Sequence, residues 1–356
     1  MSDWGIYGAY GYSGHLAARR AVELGQQPVL LGRNAARLGE IAEQLELPSL
    51  AVGLDDPKSL RDALSNLSAV LHCAGPFEDT AEPMVEACLA TETNYLDITG
   101  ETAVLEDLAS RDRDAKQAGT VILPAVGFDV VPSDCLAVHV SQQLPAASSL
   151  TIAFDANSPP SHGTASTALR SMLRARIRAE GRLVEVPVAS KQLSVDFGFD
   201  RGEAVASLIN WGDLSTAYIS TGIENIETYS ALPPDQVRTL KAGRFLAPLF
   251  RIPPLRNMAM KSLTEGKPGP DEAEREGKSS WLYASVRSKE GQSVAARLRL
   301  PHAYTLTALA SVEATTRVVA RQVDPGFQTP ATAFGPDFIL EFEGVSREDV
   351  TPSPPA

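Results

Sequence analysis

Apolar residues in the first 125 positions follow two alternating periods. Six short apolar runs stand out: WGIYG (4–8), PVLLG (28–32), SLAVG (49–53), AVLHCAG (69–75), NYLDIT (94–99) and TVILP (120–124). Between them lie stretches whose apolar residues recur at helical spacing: 14–24, 34–45, 57–67, 80–91 and 102–119. Strands that are apolar throughout are buried on both faces, and their alternation with helices predicts a doubly wound parallel sheet. Right-handed crossovers then place the carboxyl end of every strand on one edge.

The pattern changes after Pro124. PSDCLAVHVSQQL (132–144) reads as one helix. Strand-like runs follow at SLTIAFDA (149–156), SSWLYASVRS (279–288) and SVAARLRL (293–300), mixed with a helical TASTALRSMLRARIRAEG (164–181). This is an α+β second domain. TLTALASVEATTRVVARQV (305–323) reads as a last long helix returning to the first domain. The expected division is an α/β Rossmann-type domain over 1–130, an α+β substrate or dimerisation domain over 131–301, a returning segment over 302–345 and a disordered polar tail over 346–356. A homodimer through the second-domain sheet is carried as an expectation.

The chain has 356 residues, too many for most single cores. Its net charge of −12 argues against a nucleic-acid partner. The three cysteines, Cys73, Cys88 and Cys135, lack CxxC spacing, which predicts neither a disulfide framework nor a thiolate metal site and suits a reducing cytoplasm. The N-terminus shows no signal-peptide pattern, and no apolar run reaches membrane-spanning length. Residues 241–261 combine five basic side chains with apolar ones. They read either as a peripheral membrane contact or as a loop and helix packed on the second domain, and the Pro253–Pro254 pair favours packing.

The chemistry starts at GIYGAYGYSG (5–14). Gly8 follows a strand and Gly14 opens a helix, with Gly11 between them, the context expected of a dinucleotide turn. Tyr10, Tyr12 and Ser13 would offer backbone N–H groups to a pyrophosphate at the helix start. The second strand ends in GRN, with no acid to accept from a ribose 2′-hydroxyl. Arg33, followed by Asn34, suits a 2′-phosphate, so NADP(H) is expected over NAD. Asp55 is placed either at the adenine edge or as the N-cap of the next helix.

CAGPF, with Ala74, Gly75, Pro76 and Phe77, ends the fourth strand where a nicotinamide would lie. Phe77 reads equally as a ring partner or as core. Glu101 reads as a site acid or as a first-turn carboxylate of the following helix, the latter favoured. Asp129 can orient substrate, whereas Ser133 is expected to cap a helix. His162, at a helix start, and Tyr218, on a pocket wall, complete the catalytic candidates, each with a structural alternative. Neither Tyr-x-x-x-Lys nor Gly-x-Ser-x-Gly occurs.

Several motifs together resemble the saccharopine dehydrogenase-like NADP-binding oxidoreductases, especially the trans-acting enoyl reductase branch. They are GAYGYSG, GRN, CAGPF, ACLATETNYLDITGE, VGFDVVPSD, HGTASTAL, WGDLSTAYISTGIENIETY, KPGPDEAERE, AYTLTALASVEA and GFQTPATAFG, in order from residue 8 to 335. The resemblance implies a Rossmann domain, a second α/β domain and NADP(H) held by Gly8, Gly11, Gly14, Arg33 and Ala74–Phe77. Two departures stand out: Tyr10 replaces the family's usual threonine, and FEDTAEP lacks a tyrosine and a glycine expected after GPF. The leading expectation is an NADPH-dependent oxidoreductase that transfers hydride to an enoyl-type C=C bond of a small molecule. The alternatives are a C=N or C–N oxidoreductase, such as an amino-acid dehydrogenase, and a non-catalytic NADP-binding sensor.

Overall fold

A computed structural model describes residues 4–156, 175–246 and 269–351. His162 and most of the 241–261 segment lie outside the described residues. In chain order the first elements are β1 (Trp4–Tyr7), α1 (Tyr12–Glu23), β2 (Val29–Gly32), α2 (Ala35–Leu45), β3 (Ser49–Ala51), α3 (Pro57–Leu64), β4 (Ala69–His72), α4 (Phe77–Thr91), β5 (Asn94–Asp97), α5 (Thr102–Ser110), α6 (Asp112–Ala118) and β6 (Val121–Leu123). They continue as α7 (Val131–Gln143), β7 (Ala147–Asp155), β8 (Ala175–Ala179), β9 (Arg182–Val186), β10 (Gln192–Asp196) and β11 (Glu203–Leu208). After them come α8 (Asp213–Thr221), β12 (Ile226–Ala231), α9 (Pro234–Leu246), β13 (Ser279–Ser288), β14 (Ser293–Pro301), α10 (Ala303–Val319), β15 (Gly326–Phe327), α11 (Pro330–Phe334) and β16 (Ser346–Val350).

The chain divides into two compact units, Met1–Val131 with Tyr304–Gly335, and Pro132–Ala303 with Pro336–Ala356. The first unit holds a seven-stranded sheet in the order β15-β6-β5-β4-β1-β2-β3, and every described pairing in it is parallel. Successive strand residues point to opposite faces, and here each face has its own core. Ile6, Leu30, Leu71, Leu96 and Leu123 join the core shared with α1 and α10. Their neighbours Tyr7, Leu31, Val70, Tyr95 and Ile122 join the core shared with α3 and α4. Two buried faces explain the uninterrupted apolar strands in the sequence.

The second unit carries a nine-stranded sheet whose main path is β10-β11-β12-β7-β13-β14-β16, with β8 and β9 branching from β12. The β7–β12 pair is parallel and the other pairings are antiparallel. Its core centres on Phe197, Leu208, Tyr229, Trp281 and Tyr283.

Three expectations change. Ala175–Ala179 is a strand rather than the end of a helix, because it pairs with β9 and touches β12 at Arg178. Ser346–Val350, expected to be disordered, is the edge strand β16 on β14, where Glu348 also pairs with Arg297 at 2.9 Å. The 102–119 stretch is two helices, α5 and α6, that break at Arg111. Within the described residues, no helix is long and apolar enough to cross a membrane.

Ile6 is fully buried between two strands and a helix layer. Ile6→Ala is expected to lower stability by about 2–5 kcal/mol, as a core truncation that leaves a cavity. Urea unfolding followed by circular dichroism checks this.

Candidate functional site

The parallel sheet brings the ends of β1, β2, β4, β5 and β6 to one edge. At β1 the chain turns at Gly8, whose φ of +84° is a left-handed conformation suited to glycine. The Gly8 N–H donates to the Leu31 carbonyl at 2.8 Å, and the Gly11 N–H donates to the Gly8 carbonyl at 2.8 Å. A Cβ on Gly14 would lie 2.4 Å from the Gly8 carbonyl oxygen, and one on Gly8 would lie 2.8 Å from the Ala74 Cβ. The turn therefore closes only without side chains at both places. It presses the start of α1 against β1 and beside the loop after β4.

The start of α1 is left open. Its N-cap, Gly11, gives no side-chain cap, and its first turn holds no acid. Ser13 and Gly14 there present N–H groups with positive dipole character. The Tyr12 ring packs edge-on against Tyr304 of α10, with centroids 4.9 Å apart.

Three other helix starts on this side, those of α2, α3 and α4, are filled. Asn34 Oδ1 accepts the Arg37 N–H at 3.1 Å and so caps α2. Asp56, not Asp55, caps α3 through the Lys58 and Ser59 N–H groups at 3.2 and 3.1 Å. The Asp55 carboxylate instead folds back over Gly53, where a Cβ would sit 2.3 Å from its Oδ1. Glu101 closes α4: its carboxylate accepts the Phe77 and Glu78 N–H groups at 3.0 and 2.8 Å. It therefore serves a different helix from the one the sequence suggested.

Tyr10 packs its ring on Gly32, where a Cβ would lie 2.6 Å from the ring. The Arg37 guanidinium stacks over that ring at 4.8 Å. The Tyr7 hydroxyl donates to the Val52 carbonyl at 3.2 Å. Burial raises its pKa to about 12, helped slightly by Tyr10 and Asp55 and opposed by the Arg33 cation.

The Ala74–Phe77 loop, with a cis Gly75–Pro76 peptide, is tied from below. The Thr80 hydroxyl lies 2.8 Å from the Ala74 carbonyl, 3.0 Å from the Pro76 carbonyl and 3.0 Å from His72 Nε2. His72 is fully buried, and burial pushes its pKa down to about 3, so it stays neutral. Phe77 is buried with its ring edge-on to His72 at 5.3 Å, which makes it core.

Asp97 ends β5, fully buried. It accepts from the Tyr95 hydroxyl at 2.6 Å, the Thr99 N–H at 2.9 Å and the Ala125 N–H at 2.8 Å. Burial outweighs these bonds and raises its pKa to about 6. Asp129, also raised to about 6 by burial, packs on Gly100, where a Cβ would lie 2.9 Å from its Oδ2.

Two other candidates have structural roles in the second unit. Tyr218 lies beneath the buried Arg178 guanidinium at 4.2 Å. Ser133 lies within the first turn of α7 rather than ahead of it, and its hydroxyl donates to Asp213 Oδ2 at 2.9 Å. Among the described residues, no group of three or more His, Cys, Asp or Glu could hold a metal ion. Sequence reasoning missed Arg37, Thr80 and the α4 role of Glu101. Only the spacing of Arg37, four residues after Arg33, was visible beforehand.

Residues 4–123 match the family model described as saccharopine dehydrogenase NADP binding domain. A saccharopine dehydrogenase-like oxidoreductase of Mus musculus is 30% identical over 39% of this chain and 37% of its own length. A trans-acting enoyl reductase of Mycobacterium leprae is 34% identical over 36% of this chain and 33% of its own length. The chain thus matches only about a third of these curated relatives. The apo saccharopine dehydrogenase (L-Glu forming) of Saccharomyces cerevisiae superposes with a TM-score of 0.67 over 99% of this chain and 100% of its own, at 12% identity, which shows a shared fold.

Asp97 yields a pH prediction. Its folded pKa, about 6, lies above the ordinary carboxyl value. Its contribution to stability is therefore complete below about pH 4 and is lost as pH rises through 6. Asp97→Asn stays neutral and keeps an oxygen for both N–H donors. Its stability relative to wild type should rise by up to about 3 kcal/mol between pH 4 and 7. Urea unfolding across that range checks this, and parallel profiles for the two proteins would refute it.

Proposed function

We propose that this protein is an NADPH-dependent oxidoreductase that reduces an activated double bond of a small molecule, an enoyl-type C=C first; the match of residues 4–123 to the saccharopine dehydrogenase NADP binding domain supports the cofactor. The observation that carries this reading is the open start of α1. This helix N-terminus has no side-chain cap and no first-turn acid, and the glycine turn holds it against the end of β1 and beside the loop after β4.

The residues suit the cofactor's parts. The N–H groups of Ser13 and Gly14 would take the pyrophosphate at the positive end of α1. Arg33, exposed just after β2, would take the 2′-phosphate, and Asp55 would meet the adenine edge. Gly75 and Pro76 would border the nicotinamide, the source of the hydride. Glu101 already satisfies the first N–H groups of α4, so the phosphates would sit on α1, where the glycine turn lets a backbone approach.

Hydride addition to C=C leaves a carbanion-like centre that must gain one proton. Asp129 is our candidate for supplying it. Its pKa of about 6 suits proton transfer near neutral pH, and it stands on the same edge beside Gly100. The similarity to trans-acting enoyl reductases supports C=C as the target.

The test uses the full chain. NADPH fluorescence measures binding, and consumption is then followed with enoyl, imine and keto compounds. Turnover confined to enoyl compounds is expected. Turnover confined to imines would move the reaction to C–N chemistry, and tight NADPH binding without turnover on any class would mark a sensor.

Asp129→Asn separates the proton step from binding. It should lower kcat by about a hundredfold or more while NADPH affinity holds. It should also remove the fall in kcat as pH rises through about 6. An unchanged pH profile would exclude Asp129 as the donor.

A further inference from the structure

We propose that Tyr10 and Arg37 form the second half of the 2′-phosphate seat begun by Arg33, so that two arginines, one held on an aromatic platform, select NADPH over NADH. The inference rests on the assignment of Arg33 above.

The geometry starts from Gly32, the last residue of β2. In an NAD site this strand end is where an acid meets the ribose. Here the Tyr10 ring covers the spot, 2.6 Å from where a Gly32 Cβ would stand. No larger residue fits at 32 without displacing the ring. Tyr10 thus comes from the glycine turn to stand over the end of β2, next in sequence to Arg33.

Arg37 is fixed on Tyr10 twice. Its guanidinium lies 4.8 Å from the ring centroid, and its Nη2 donates to the Tyr10 carbonyl at 3.3 Å. Stacking and one hydrogen bond order a side chain that otherwise keeps much rotamer freedom. They use one of its five N–H groups and leave the rest for an acceptor.

Charge gives an independent argument. In a chain of net charge −12, Arg20, Arg317 and Arg347 each meet a carboxylate. Neither exposed Arg33 nor exposed Arg37 pairs with a carboxylate among the described residues. The start of α2 between them carries no acid in its first turn. The nearby acid, Asp55, is turned back over Gly53. Two forked cations that meet no carboxylate, with no acid of α2's first turn between them, make a seat for a dianionic phosphate monoester.

Calorimetry with the full chain reads this without turnover, using 2′,5′-ADP and ADP as probes. Wild type should bind 2′,5′-ADP more tightly. Arg37→Ala should weaken 2′,5′-ADP about tenfold and ADP less than about twofold. Tyr10→Thr should produce a similar selective loss, and the double variant should be no weaker than Arg37→Ala alone. Arg37→Lys, which keeps the charge without the fork, should fall between wild type and Arg37→Ala.

If wild type prefers 2′,5′-ADP and Arg37→Ala keeps that preference in full, Arg37 has no part and Arg33 stands alone. Additive losses from Tyr10→Thr and Arg37→Ala would refute the platform. If wild type binds the two probes equally, the assignment of Arg33 itself falls.

Discussion

The close approach of Gly14 to the Gly8 carbonyl is the constraint on which the site rests. No methyl group fits there, and none fits between Gly8 and Ala74. Three segments, the end of β1, the start of α1 and the loop after β4, therefore meet with no side chain on Gly8 or Gly14 between them. One contact sets where the α1 N–H groups point, and the other sets where Gly75 and Pro76 stand. Hydrogen bonds from Gly8 to Leu31 and from Cys73 to Tyr7 tie the same turn to β2 and β4. Displacing any of these segments moves the phosphate and nicotinamide ends of the proposed site together.

Electrostatics then divides the work among the helix starts. A charged carboxylate accepting two backbone N–H groups, as Glu101 does on α4, contributes about 1.5–3 kcal/mol per bond. An incoming phosphate would have to displace it. Side chains from within the chain likewise occupy α2 and α3. The α1 start is open, and sterics have brought it to the sheet edge. The anion-binding position is thus set both by the starts that the chain fills on α2, α3 and α4 and by the glycine turn that brings α1 to the edge. Thr80 and neutral His72 hold the Ala74–Pro76 loop from beneath without placing a charge there.

The sequence made the first unit legible because its strands are buried on both faces, which writes apolar runs that local reading can find. It hid what depends on distant partners. ARIRA reads locally as the end of a helix, and only its pairing with β9 and β12 makes it a strand. SREDV looks like a solvated tail, yet it completes a sheet edge on β14. Glu101 sits at the start of α5, so its local reading was a first-turn acid of that helix. Its true partners lie 23 and 24 residues earlier in the chain. Asp55 and Asp56 are adjacent acids before one helix, and sequence could not say which would cap it. Ser133 faces Asp213, 80 residues away.

Tyr10 shows why a departure from a motif is informative only in three dimensions. Against the family's usual threonine it reads as a lost hydroxyl near the phosphates. In the folded chain the ring does something a threonine cannot, since it spans from the turn to Gly32 and carries Arg37 on its face. A hydroxyl would offer one neutral hydrogen bond, worth about 1 kcal/mol net, whereas a guanidinium offers charged bonds roughly twice as strong. The cost is the entropy of ordering a long arginine, and stacking on Tyr10 meets part of it before any ligand arrives. The exchange of threonine for tyrosine therefore shifts recognition from a short contact made by the turn to a longer, preorganised one made by α2. Its energy comes from the cation and its geometry from the ring.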